Sequence, residues 1–159
     1  MIKNPITKNI LSALAIIVFG FLLLNISFVI DFLFHFLAEF IMGILFPKIM
    51  DHSNSLPWYA PLIHILFALL IVIISIFVFK SKIGPFYKAT FMTVPVAVIL
   101  ATMGILFYQM PFLIFLIGGL FTATALYFFW QKRLSWLYYY ALIIVVLALL
   151  ISFLTGGEI

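Results

Sequence analysis

Five apolar stretches long enough to cross a bilayer constrain this chain more than any other feature of it. An α-helix needs about 20 residues to span a hydrocarbon core of roughly 30 Å. Runs of that kind extend over Ile10 to Ile30, Trp58 to Phe79, Ala89 to Tyr108, Phe112 to Trp130 and Ser135 to Leu154. The composition argues against a soluble alternative: 68% of the 159 residues are hydrophobic and only 8% are charged. So few charges cannot furnish the polar surface of a water-soluble domain of this size. The expected fold class is all-α, a polytopic integral membrane helix bundle forming a single transmembrane domain over residues 1–159. The connections "KSKIGPFYK", "QMP" and "QKRLS" are short enough to make successive helices antiparallel neighbours.

Orientation follows from the basic residues, because cytoplasmic loops carry the excess of Lys and Arg. With the N-terminus inside, Lys3, Lys8, Lys80, Lys82, Lys88, Lys132 and Arg133 lie on the cytoplasmic side and only Lys48 lies outside. The four acids Asp31, Glu39, Asp51 and Glu158 then fall outside, together with His35, His52 and His64 near the outer boundary. An N-in, C-out arrangement is expected, with Trp58 and Tyr59 at the outer interface and Trp130, Trp136 and Tyr138 to Tyr140 at the inner one. The start "MIKNPITKNILSALAIIVFGFLLLN" reads as a first span, since its apolar run is long for a signal-peptide core and no A-x-A-like site follows. The net positive charge is topological, concentrated in inner loops beside an anionic leaflet, and nucleic acid is not an expected partner. A bacterial plasma membrane is the expected location.

The segment "DFLFHFLAEFIMGILF", residues 31–46, is too apolar for a solvated loop and too short, at about 24 Å, for a full crossing. It is expected to form an outer interfacial or re-entrant helix, or one continuous with the first span through a bend near Asn25 to Asp31, and to end at Pro47. Asp31, His35 and Glu39 fall at four-residue steps and share one helix face, which Met42 and Gly43 extend. His64, two turns into the second span, reaches a comparable depth if the two helices pack side by side. Two carboxylates and two imidazoles suit a divalent cation such as Zn²⁺, or a proton pathway. Ionisable groups at membrane depth cost about 2.5–3.5 kcal/mol each and pair with something. The competing explanation is a plain polar stripe on a helix in the headgroup layer.

Asp31, His35, Glu39 and His64 are therefore the candidate metal ligands, with no specific motif to strengthen them. His35 and His64 also meet the minimum for a bis-histidine haem, and "DHSNS" at 51–55 is a solvated loop whose neighbouring residues cannot form a catalytic triad. With no cysteine, disulfides and thiolate chemistry are excluded. Gly118, Gly119, Thr122, Ala123 and Ala125 are expected to let helices approach closely, within the bundle or in a dimer. Pro95 is expected to kink its span, and the last span to face lipid or a partner. Two functions follow from different classes: a small transport or ion-binding protein with an outward cation or proton site, or an accessory subunit of a larger membrane complex. A metal-dependent intramembrane lipid hydrolase ranks third, and a non-enzymatic role is expected ahead of an enzymatic one. Expected partners are the lipid bilayer and further copies or other membrane subunits.

Overall fold

In a computed structural model that describes residues 5–45 and 59–155, the chain forms five helices: α1 Pro5–Leu45, α2 Tyr59–Lys80, α3 Pro85–Leu106, α4 Pro111–Gln131 and α5 Trp136–Leu154. Each is long and apolar enough to cross a membrane. Two of the starts are set by proline: Pro85 and Pro111 open α3 and α4, where a missing N–H breaks no helical hydrogen bond and the fixed φ is already helical. Residues 51–55, Pro47, Lys48, Trp58, Lys3 and Glu158 lie outside the described residues, so the expectations placed on them are not addressed.

The turns explain the antiparallel path. At the end of α2 the Lys88 ammonium, from the first turn of α3, donates to the Phe79 carbonyl at 2.7 Å, placing a cation at the negative end of the α2 dipole. Between α4 and α5, Arg133 adopts φ 49°. Leu134 N–H reaches back to the Phe129 carbonyl at 3.0 Å and Arg133 N–H to that of Trp130 at 3.1 Å. That pair of bonds is a Schellman motif. Leu134 then packs against the core cluster that contains Phe129.

α3 is the central helix, packed against α5, α1 and α2. Ile16 of α1, Ala89, Met92 and Val96 of α3, and Ala141, Leu142 and Val145 of α5 form one core cluster. Phe67 and Ile71 of α2 with Val94 of α3 form a second. Because lipid tails are as apolar as these side chains, close packing and hydrogen bonding hold such a bundle together. The closest crossing among the glycines is α1 on α3, where a Cβ on Gly20 would stand 3.1 Å from Thr93 Cγ2.

Three expectations are revised. First, of the two readings of residues 31–45 the continuation of the first span holds and the separate outer helix does not: they continue α1 without a break. Nothing there interrupts the helix, and the Asn25 side chain donates to the Phe21 carbonyl one turn back at 2.7 Å. Second, α5 is not turned wholly outward, since Ala141 and Leu142 are fully buried. Third, within the bundle Gly118 and Gly119 do not bring helices together: a Cβ at Gly119 would meet nothing within 4 Å and one at Gly118 only Leu100 at 3.6 Å. Both instead line an apolar cavity of about 350 Å³ between α3, α4 and α5. Pro95 lies inside α3, which stays helical on both sides of it.

Candidate functional site

The side chains gathered at the α1–α2 contact come from the four-residue stripe on α1 and from one residue of α2. Phe34 packs against Phe67 with ring centroids 5.8 Å apart, which sets the register of the two helices beside His35 and His64. His35 and His64 rings are then 4.3 Å apart, centroid to centroid, and inclined by 53°. Asp31 lies between them: Oδ1 is 3.3 Å from His35 Nδ1 and Oδ2 is 3.6 Å from His64 Nδ1. One ligand atom from each of Asp31, His35 and His64 lies within 4.8 Å of the others.

The tautomer of His35 can be read from its neighbours. Nδ1 is 3.0 Å from the Asp31 backbone carbonyl and 3.3 Å from the Asp31 carboxylate. Two oxygen acceptors facing one ring nitrogen require that nitrogen to carry the hydrogen, which it donates to the carbonyl. In the neutral ring Nε2 is then a bare lone pair. It is buried and has no hydrogen-bond partner among the described residues, and Asp31 Oδ1 is likewise buried without a hydrogen bond. Unpaired buried acceptors of this kind are costly unless something electropositive meets them. A Nδ1–H···O=C bond that orients the ring and leaves Nε2 free is also the usual support of a metal-bound histidine.

Of the four residues named from the sequence, three come together and Glu39 does not; it is exposed, two turns beyond Asp31, and is outside the group. The haem alternative fails on distance, because rings 4.3 Å apart leave no room for a porphyrin iron between them. Comparison with protein families, curated proteins and solved structures gave no match. The site is therefore judged on its own chemistry. Two imidazoles and a carboxylate form a three-ligand set of the kind that holds Zn²⁺ with one position open. Tetrahedral bonds of about 2.0 Å put ligand atoms about 3.3 Å apart, so closure from the observed separation is on the scale of a side-chain rotation.

Sequence reasoning missed Ser27. It occupies the same stripe, one turn before Asp31, and is 5% exposed. The four-residue spacing of 27, 31 and 35 was legible, but the stripe draws the eye toward Glu39 and Gly43, where the charge is. Ser27, Asp31 and His64 together line a cavity of about 210 Å³ between α1, α2 and α3.

Proposed function

We propose that this is a multi-pass membrane protein that binds one divalent cation at Asp31, His35 and His64, on the outward side of the bundle, as part of ion transport or ion handling. The observation that carries the reading is the approach of three ligand atoms to within 4.8 Å of one another, two of their side chains holding buried acceptors without hydrogen bonds. Imidazole nitrogen with a single carboxylate favours Zn²⁺ and its transition-metal neighbours over Mg²⁺ or Ca²⁺, which take mainly oxygen. The N-in orientation is supported by charge. Along α2, His64 lies 16 residues from Lys80, about 24 Å at 1.5 Å per residue, so the site and the basic α2–α3 turn occupy opposite ends of the helix.

The deciding experiment is elemental analysis and calorimetric titration of the detergent-solubilised protein with Zn²⁺ and Mn²⁺, beside His35→Ala and His64→Ala variants. One Zn²⁺ per chain, weakened by at least tenfold in each variant, is the expected result. A wild-type protein that takes up no ion overturns the reading.

A second reading, an accessory subunit of a larger membrane complex, is favoured by α1 beyond the site. Phe32, Phe36, Phe40 and Ile44 there are all more than half exposed. On this reading the segment contacts another membrane subunit, and cross-links from residues 32–45 to a second protein in intact membranes are expected in place of metal uptake.

A further inference from the structure

The described residues include five buried serine and threonine side chains: Ser27, Ser75, Thr90, Thr93 and Thr102. In an apolar bundle a hydroxyl is ordinarily satisfied by the carbonyl one turn back on its own helix. Ser75, Thr90, Thr93 and Thr102 follow that rule, at 2.7–3.0 Å. Ser27 does not: its Oγ is buried and has no hydrogen-bond partner among the described residues.

Ser27 faces the cavity of about 210 Å³ that Asp31 and His64 also line. A volume of that size holds about seven waters at about 30 Å³ each, far more than one ion needs. Its walls are apolar, with Leu24, Phe28, Phe67, Ala101 and Ile105, so water would find few partners there. The polar groups sit on the α1 stripe, on His64 beside it and at Thr102 of α3, whose hydroxyl is already donated to the Val98 carbonyl. The arrangement is that of a ligand pocket, apolar along its length with convergent polar groups that fix orientation.

We infer that this cavity binds an aliphatic chain carrying an anionic oxygen donor, such as a carboxylate. Its oxygen completes the coordination of the cation at Asp31, His35 and His64 and accepts a hydrogen bond from Ser27. The inference rests on the cation reading above. A divalent ion held by one carboxylate and two neutral imidazoles keeps a net charge of about +1 and an open fourth position, which an anionic oxygen satisfies. The chain attached to it then lies along Leu24, Phe28 and Ala101.

The test uses two probes on the Zn²⁺-loaded protein, hexanohydroxamic acid and acetohydroxamic acid, which share a metal-binding head and differ in chain length. The hexanoyl probe is expected to bind at least tenfold more tightly than the acetyl probe to the wild type. Ser27→Ala is expected to weaken hexanoyl binding severalfold, and Ala101→Phe, which fills the cavity, to erase the chain-length difference while leaving Zn²⁺ stoichiometry unchanged. Equal affinity of the two probes for the Zn²⁺-loaded wild type overturns this inference and leaves the cation site standing. That comparison needs no variant, so a misfolded Ala101→Phe protein does not blunt it. Failure of Zn²⁺ to bind at all removes the cation reading and this inference together.

Discussion

His64 Nδ1 stands 3.6 Å from Asp31 Oδ2, joining α2 to α1 through a carboxylate that also lies 3.3 Å from His35 Nδ1. Asp31 is the hinge of the cluster: both imidazoles meet it, and it alone supplies negative charge. Asp31→Asn keeps the shape and removes that charge. Zn²⁺ affinity is expected to fall by at least tenfold, about 1.4 kcal/mol, in calorimetric titration. Retention of wild-type affinity in this variant would exclude the carboxylate as a ligand.

Glu39→Gln separates the three-residue site from the four-residue one expected from spacing. Glu39 is exposed and outside the group, so the same titration is expected to return an affinity within twofold of wild type. A loss comparable to that of Asp31→Asn would bring Glu39 into the coordination sphere.

The α1–α3 crossing gives a stability prediction with an internal rescue. A Cβ at position 20 would press on Thr93 Cγ2 at 3.1 Å, and Thr93 is held in place by its bond to the Thr90 carbonyl at 2.8 Å. Alanine gains about 1 kcal/mol of helix propensity over glycine, while overpacking costs about 1–3 kcal/mol. Because Thr93 cannot turn away without breaking its bond, the cost is expected to win: Gly20→Ala lowers thermal stability in detergent by about 1 kcal/mol. Adding Thr93→Ser removes the offending methyl and is expected to restore it. Gly119→Ala, with open space around it, is expected to be neutral or slightly stabilising.

At Arg133 the left-handed backbone, φ 49°, costs a non-glycine residue about 1–2 kcal/mol. Glycine loses more unfolded-state entropy, so Arg133→Gly is expected to raise stability by only about 0.5–1 kcal/mol. An unchanged or lower melting temperature would mean that the Arg133 side chain contributes more than its backbone strain costs.

The helices were legible because lipid leaves few choices: a backbone in hydrocarbon must satisfy its own hydrogen bonds, so an apolar run of twenty residues is a helix. Asp31, His35 and His64 were legible for a related reason, since charge in such a chain stands out. What spacing could not decide was where a stripe stops facing its neighbour. Glu39 continues the repeat of Asp31 and His35, yet the third residue of the group comes from α2. Ser27 was overlooked because a serine in an apolar helix ordinarily folds its hydroxyl onto the preceding turn, and only coordinates reveal that this one does not. The continuity of α1 through residue 31 stayed open beside a separate outer helix, because a helix twice the thickness of the hydrocarbon core is an unexpected reading of any sequence.

That length fixes a relation between the protein and its membrane. Forty-one residues make a rod of about 60 Å, and lying wholly within about 30 Å of hydrocarbon would demand a tilt of about 60°, beyond the 0–40° that transmembrane helices adopt. In the proposed N-in orientation Lys8 stands at the inner headgroups, and the rod from Lys8 to Asp31 measures about 35 Å, which would set the cluster near the level where acyl chains give way to headgroups. A thicker bilayer would draw Asp31 and His64 into the oil and a thinner one would lift them into water. On the proposed cation reading, bilayer thickness would then tune how readily the site exchanges with the aqueous phase.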